Sequence, residues 1–563
     1  MMSLRYLAFA SLLVSVSAQA QNGAVRYDRA ALEASKPTWL EKPAPPDSDV
    51  AKQGKAIYLQ RCAGCHGESG AGDGLGADVM NPRPRDFTAG NFEFRSTQSG
   101  ELPTDADLFV AISRGVPGTT MPAWGEGAFR LTDEELWQVT YHLKTLTGIF
   151  WDEYTNPYRP ADDGYSPIVT FDKPPARTEA LVAKGKELFL DDSGSACLRC
   201  HGVEGRGDGV AAAEQRDDMG NPIRPSDFTN PWRRKTPLDP KAVFRTLTTG
   251  LNGTPMAAFV DGVSEEERWA LAYYVDALRE SRTVLTGPLK AIRVAAEVPS
   301  EPDDAAWEQC PDSGIPLFGQ LIVAPRWQAS SVDYVRVCAL YNDDTLAVLL
   351  SWNDPFHDDG SATELQTSDG AGAAPSEEDT QTPAWMTVAA MQARALAKPI
   401  VDRVALQMPA GDIDPAAFQR PHMLMGDRDR PVYAMFWSAK GKGEAAEGTA
   451  KGAADDYSVQ DAKSTQLQAT GEYEHGRYRV VFRRAMRTQD RLDAQLTAGD
   501  LVPISIRVWD GSAGEHGLQS AMSAWWYIHL EVATPASAYI KAALATALGF
   551  GLLGVGWWRL RKT

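Results

Sequence analysis

Cys62-Ala63-Gly64-Cys65-His66 and Cys197-Leu198-Arg199-Cys200-His201 decide how this chain is read. Each sets two thiols about one helical turn apart with an imidazole directly after the second. That spacing lets the thiols add to the two vinyl groups of one haem while the imidazole reaches its iron. A zinc site would need two further ligands at short spacing, and a dithiol redox pair would need a βαβ context. The sequence offers neither. Two covalent haem c groups are therefore expected, on Cys62 and Cys65 and on Cys197 and Cys200, with His66 and His201 as axial iron ligands.

The second axial ligand is sought downstream. Met121 lies 55 residues after His66 (66 to 121), and Met256 lies 55 after His201 (201 to 256). The surroundings repeat too: Gly115-Val-Pro-Gly-Thr-Thr-Met121 stands beside Gly250-Leu-Asn-Gly-Thr-Pro-Met256. An isolated methionine more often fills a gap in a core. One at the same offset in two copies, each in a glycine-rich loop, is read as an iron ligand. Met80 and Met219 follow at unequal offsets and are read as loop residues.

These modules resemble class I cytochromes c. The resemblance implies a small, mainly α domain in which a first helix leads into the haem motif and a last helix packs across it. The leading segments are 51–60 and 181–190. The closing helices start at Thr132-Asp-Glu-Glu135 and Ser264-Glu-Glu-Glu267, each a hydroxyl cap with an acid three positions on. Their apolar faces are Leu136, Trp137, Val139, Thr140, Tyr141 and Leu143, and Trp269, Leu271, Ala272, Tyr273 and Val275. The loops Asn81-Pro-Arg-Pro-Arg-Asp-Phe-Thr88 and Asn221-Pro-Ile-Arg-Pro-Ser-Asp-Phe-Thr229 are shared. In them Arg83, Arg85 and Arg224 are candidates for haem carboxylates, against a reading as solvated loop charges. His–Met ligation raises the reduction potential and leaves no open position for a substrate.

Residues 1–20 read as a signal peptide: Arg5, an apolar run from Tyr6 to Val16, and Ala18-Gln-Ala20 as the cleavage site. That run is too short to span a bilayer. Residues 21–48 read as a proline-rich extended arm, 49–148 as the first cytochrome domain, 149–178 as a linker and 179–283 as the second cytochrome domain. The net charge of −18 excludes a phosphate-neutralising nucleic-acid role. It suits redox proteins with basic docking faces. Two cysteines remain, Cys310 and Cys338, as a disulfide or as two buried thiols.

After a second linker, 284–301, helical periodicity gives way to short alternating runs. They begin at Leu317, Tyr334, Leu346, Arg403, Val432, Tyr478 and Ile504, and predict an antiparallel β-sandwich over 302–533. The polar stretches from Asp358 to Asp379 and from Ala439 to Thr470 read as surface insertions. At Trp352-Asn-Asp-Pro355, Asp402-Arg-Val-Ala-Leu-Gln-Met-Pro409, Met425-Gly-Asp427 and Trp509-Asp-Gly511 this region resembles the haem-binding gamma subunits of ethylbenzene dehydrogenase and dimethyl sulfide dehydrogenase. The resemblance implies a third, non-covalent haem b with Met425 as one iron ligand, and a molybdopterin oxidoreductase as partner. The family's lysine ligand is missing, because Gln519 stands in its place. His516, His529 or Met522 would then complete the site, or the haem is five-coordinate or absent.

Residues 538–558 are almost wholly apolar, with Trp557 and Trp558 followed by Arg559, Arg561 and Lys562. They predict one transmembrane helix with its basic end in the cytoplasm. The sum is a multidomain, membrane-anchored electron-transfer subunit on the periplasmic side of a bacterial inner membrane, relaying electrons between a redox enzyme and a cytochrome or respiratory-chain partner. A di-haem peroxidase or other catalytic haem oxidoreductase, and a terminal-oxidase cytochrome c subunit, are the alternatives.

Overall fold

The computed structural model describes residues 29–40, 47–80, 82–151, 169, 173–236, 239–319, 330–361, 401–413, 420–452, 458–460, 466–532 and 544–547. The expected signal segment, 1–20, lies outside them. So does the apolar tail 538–558 apart from 544–547, which are helical. Among the described residues no helix is long and apolar enough to cross a membrane.

The first helical unit begins in the arm. The expected extended conformation is overridden by the run 30–34, Ala-Ala-Leu-Glu-Ala, whose residues are strong helix formers, and α1 spans Arg29–Ser35. Leu32, Trp39 and the buried Leu40 pack onto the core of the first unit. Arg29 Nε donates to Asp107 at 2.6 Å. The leading helix α2 (Asp49–Arg61) is capped by Ser48 and runs straight into α3 (Ala63–His66). Helix α4 (Asp105–Arg114) and the closing helix α5 (Asp133–Thr145) each carry a full capping box, Thr104 with Asp107 and Thr132 with Glu135.

The second unit repeats the plan with α6 (Glu179–Leu190), α7 (Cys197–His201), α8 (Pro240–Thr249) and α9 (Glu265–Ala277), the last boxed by Ser264 and Glu267. Leading and closing helices cross at a glycine in both units. A Cβ on Gly54 would collide with the carbonyl oxygen of Gln138, and one on Gly185 with that of Ala270. Backbone cannot give way as a side-chain tip can. Gly185→Ala is expected to cost about 3 kcal/mol, the upper part of the usual overpacking range. Denaturant titration would show it as a lowered midpoint with an unchanged slope.

The third unit is a mixed sheet rather than two antiparallel ones. Its strands are β1 (Leu289–Arg293), β2 (Gly314–Pro316), β3 (Tyr334–Tyr341), β4 (Thr345–Asn353), β5 (Arg403–Pro409), β6 (Gly411–Asp412), β7 (Val432–Ser438), β8 (Glu444–Ala450), β9 (Ser458–Val459), β10 (Gln468–Glu474), β11 (Arg477–Ala485), β12 (Ala494–Gln495), β13 (Leu501–Trp509), β14 (Ala521–Met522) and β15 (Trp526–Leu530). Thirteen of them follow the order β10-β11-β4-β3-β1-β15-β13-β5-β7-β8-β9, with β2 on β3 and β14 on β13. Strand β1 arrives from the linker and stitches the two halves together, running parallel to both β3 and β15.

The sheet then curls into a half-barrel around one core. Trp437 on β7 meets Tyr478 on β11 edge-on at 5.7 Å and leaves no room for a side chain at Gly471 on β10. Inward residues such as Val337, Leu350, Val480, Leu406, Met435 and Ile506 are fully buried. The supposed insertion from Ala439 to Thr470 holds β8, β9 and the start of β10, because Glu444 to Ala450 pairs residue for residue with β7 despite its small, polar side chains. The stretch from Leu317 to Val323 is no strand where described, and makes only a bridge from Phe318 to Met522. Cys310 and Cys338 are joined as a disulfide, with Cα atoms 5.8 Å apart.

Candidate functional site

The two Cys-x-x-Cys-His turns are held congruently, hydrogen bond by hydrogen bond. Gly67 and Gly202 end the short helices at φ 76° in both units, a conformation that favours glycine. The chain then folds back: Gly72 N–H donates to the His66 carbonyl at 2.9 Å, and Gly207 N–H to that of His201 at 2.8 Å. Phe87 N–H donates to Gly70 and Phe228 N–H to Gly205, both at 2.7 Å. These bonds set the phenylalanine rings against the imidazoles, at 4.5 Å for His66–Phe87 and 4.3 Å for His201–Phe228, with an interplanar angle of 24° in each.

The same fold-back fixes the imidazole tautomer. Nδ1 of His66 lies 3.1 Å from the Arg85 carbonyl, and Nδ1 of His201 lies 3.1 Å from the Ser226 carbonyl. A carbonyl only accepts, so Nδ1 carries the proton and Nε2 keeps its lone pair for a metal. Burial pulls both imidazole pKa values down, that of His201 to about 4, so each ring is neutral at neutral pH.

The methionine loops are equally matched. Gly115 and Gly250 turn the chain at φ 68° and 64°. Thr119 Oγ1 donates to the Val116 carbonyl and accepts from Met121 N–H. Thr254 does the same between Leu251 and Met256. Met121 and Met256 line the same cavity as the four cysteines and the two histidines. That cavity is continuous between the units, with a volume of about 1990 Å³. A single ligand pocket reaches roughly 1,000 Å³, so the space is of the size expected for two large groups side by side. Each half offers two thiols, one neutral imidazole and one thioether, with apolar walls from residues such as Leu108, Ile112, Val243 and Leu247. This donor set fits a thioether-linked haem.

The arginines of the shared loop line the same cavity and also have protein partners. Arg83 pairs with Asp78, and Arg85 with Glu93 at 3.2 Å and with Asp218 of the second unit at 3.5 Å. Arg224 crosses to the β unit, where it meets Asp510 at 3.0 Å and stacks on Phe356. What the loop supplies in both copies is the phenylalanine against the histidine and the carbonyl on Nδ1. Its repeated Asp-Phe-Thr was the available signal.

Met425 is buried with Val432 and Ala450, and Leu518 and Trp525 pack against it. The fold thus brings it beside the segment that holds Gln519. Gln519 itself is buried and lines the large cavity. His516 Nδ1 is 2.9 Å from the Gly514 carbonyl, Met522 is buried on β14, and His529 lies on β15. The described residues that cluster with Met425 are all apolar side chains and supply no second iron ligand.

The junction of the second and third units is rich in buried charge. Glu280 accepts from Arg477 at 2.5 Å, from Arg336 at 2.6 Å and from Arg206 at 3.2 Å. Burial would raise its pKa, but Arg477 and Arg336 hold it below the usual range. Close by, ligand atoms of Asp354, Asp402 and Asp510 fall within 4.8 Å of one another. Asp402 is satisfied by Tyr478 Oη–H, Asp358 N–H and Gly511 N–H, and Asp510 by Arg224. Oδ2 of Asp354 has no hydrogen-bond partner among the described residues.

Burial, reinforced by Asp402 and Asp510, lifts Asp354 well above the normal carboxylate range, and burial lifts Asp358 to about 6. A carboxyl raised in the folded state binds its proton more tightly there than in the unfolded chain. Its contribution is complete below about pH 4 and is lost as pH rises through the folded value. The melting temperature is therefore expected to fall from pH 5 to pH 7.5, and Asp354→Asn to flatten that fall. Calorimetry across this range gives the check.

Comparison with known proteins matches the Cytochrome c family at residues 51–147 and 182–279, and the Ethylbenzene dehydrogenase family at 304–466 and 454–521. The chain carries two cytochrome c domains and an ethylbenzene dehydrogenase haem-binding domain. The two cytochrome c domains, each with its Cys-x-x-Cys-His turn, imply two haem c groups. The chain is similar to a protein of Haloferax mediterranei named as a respiratory nitrate reductase heme subunit, 23% identical over 268 residues, which are 48% of this chain and 81% of that protein. It is also similar to the Cbb3-type cytochrome c oxidase subunit CcoP of Azospirillum sp. (strain B510), 26% identical over 239 residues, or 39% of this chain and 60% of that subunit. Among solved structures, a chain of the Kuenenia stuttgartiensis reducing HAO-like protein complex is 42% identical, with 42% of this chain and 100% of that chain covered at a TM-score of 0.37. By its family matches and the Haloferax relative, the chain is a multihaem cytochrome c electron-transfer subunit related to that heme subunit.

Proposed function

We propose that this protein is a periplasmic electron-transfer subunit, anchored to the inner membrane by its C-terminal segment, that relays single electrons between a redox enzyme and a cytochrome or respiratory-chain partner. The observation that carries the reading is the duplicate geometry. Both histidines present a free Nε2, and both methionine loops are built alike, around one shared cavity. In this reading Cys62, Cys65, Cys197 and Cys200 tether the two haems, His66 and Met121 ligate one iron, and His201 and Met256 ligate the other. A bound haem c supplies a one-electron ferric/ferrous couple. The protein's part is to hold each imidazole in one tautomer, to bring up a thioether that favours the reduced iron, and to exclude water with apolar walls.

For the redox enzyme, the ethylbenzene dehydrogenase domain points to a molybdopterin oxidoreductase, and the Haloferax relative is named for a nitrate reductase. Both support an enzyme partner over a role as a free carrier. A third, non-covalent haem b against Met425 belongs to the proposal as composition only. A pyridine haemochrome assay tests it: two c-type haems per chain support the relay, a further b-type haem supports the Met425 site, and fewer than two c-type haems refute the reading.

A terminal-oxidase cytochrome subunit is the second reading, favoured by the likeness to CcoP. It leaves the β domain without a role. Co-purification with oxidase core subunits, and with no molybdenum enzyme, would favour it.

A further inference from the structure

The two cytochrome domains are copies, and both have an arginine two residues before a threonine: Arg95-Ser96-Thr97 and Arg234-Lys235-Thr236. The structure uses these two cations differently. Arg95 is bonded through all but one of its guanidinium nitrogens, Nη1 having no partner among the described residues. Its Nη2 donates across the seam to the Thr249 carbonyl of the second domain, and its Nε donates to the Gln98 carbonyl at 3.0 Å. It does not line the large cavity.

Arg234 does line it. The residue is 5% exposed, and its guanidinium lies 4.9 Å over the Phe228 ring, the same ring that stacks on His201. Only Nη2 is bonded to protein, to Thr236 Oγ1 at 3.2 Å, while Nε and Nη1 have no partner among the described residues. Charges of both signs act on it, Arg114 against Asp227 and Asp239, but no carboxylate bonds its Nε or Nη1 among the described residues. Arg114 of the first domain reaches the Lys235 carbonyl beside it, and Lys235 is itself paired with Glu93. Burial, reinforced by Arg114, pulls the Arg234 pKa down to about 9 against the opposing pull of Asp227 and Asp239. A buried guanidinium with two idle nitrogens is costly unless an anion meets it, and a planar fork fits a carboxylate.

Resting on the assignment of tethered haem to the second domain, we infer that Arg234 holds the carboxylate edge of that haem at the seam between the domains, whereas Arg95 serves the domain interface. Adding an electron to an iron removes a positive charge, so a buried cation near it favours the reduced form. The two haems, built on matching ligand geometry, are thereby set at unequal potentials, the second being raised by Arg234.

Spectroelectrochemical titration of the full-length holoprotein tests this. In Arg234→Gln one of the two c-haem waves is expected to move to lower potential while the other stays, with the haemochrome count still two. Arg234→Lys, which keeps the charge, is expected to restore most of the shift. Arg95→Gln is expected to leave the gap between the waves nearly unchanged. If Arg234→Gln loads only one haem, Arg234→Lys decides: two haems with waves near wild type support the inference, and renewed loss of the haem overturns it. Unmoved waves in a fully loaded Arg234→Gln also overturn it. A wild-type protein with fewer than two c-type haems would instead sink the underlying assignment.

Discussion

Met256→Ala is expected to lower the midpoint potential of one haem by on the order of 0.1 V and to abolish that haem's sulfur-to-iron absorption, and Met121→Ala to do the same to the other. The reasoning is local. Each methionine sits in a loop fixed by a threonine hydroxyl and two left-handed glycines, so removing its sulfur leaves the loop standing and the iron without its soft ligand. The histidine side is untouched, because its Nδ1–H remains on a backbone carbonyl. The two variants should differ only in which wave moves. Spectra of both alanine variants that matched wild type would mean that neither methionine is a ligand.

The second large effect is expected at the junction with the β domain. Glu280→Gln removes the charge that three arginines share. Breaking a buried ion pair costs about 3–5 kcal/mol, and because Glu280 retains a quarter of its exposure the low end applies, about 3 kcal/mol. The loss falls on docking, since none of the four residues belongs to a hydrophobic core. The β domain should then melt apart from the cytochrome domains. Tryptophan fluorescence and haem absorbance, followed together through a thermal scan, should separate in the variant by more than in wild type. Coincident transitions at the wild-type temperature would count against the cluster as the tie.

Much of the cytochrome region was legible because its signals are local. The haem turns, the capping boxes at Thr132 and Ser264, and the buried faces from Leu136 and Trp269 each lie within a few residues, where spacing alone carries the geometry. The tertiary features were not. Residues 29–35 are helical because they have a core to lie on, and the prolines further along the arm masked that. Arg224 reads as a candidate for a haem carboxylate or as a solvated loop charge, and its ion pair with Asp510, 286 residues away, is one that local spacing does not encode.

In the β domain, β3, β4, β5, β7, β11 and β13 follow from alternation, but β8 has almost no apolar side chain and exists because β7 offers it a ladder. The parallel placement of β1 depends on where the linker delivers the chain, which no periodicity encodes. The phenylalanines on His66 and His201 were within reach, since they repeat in both loops. The arginines of those loops carry the more conspicuous charge, but not all of them repeat at matched positions as the phenylalanines do.

Carbon monoxide titration of the fully reduced protein puts the central claim to the most direct test. If His66 with Met121 and His201 with Met256 saturate both irons, the spectra of the two tethered haems stay unchanged up to a large excess of the gas. Stoichiometric binding at either covalent haem would mean that an iron is open, and that the chain performs chemistry on a bound molecule instead of passing electrons.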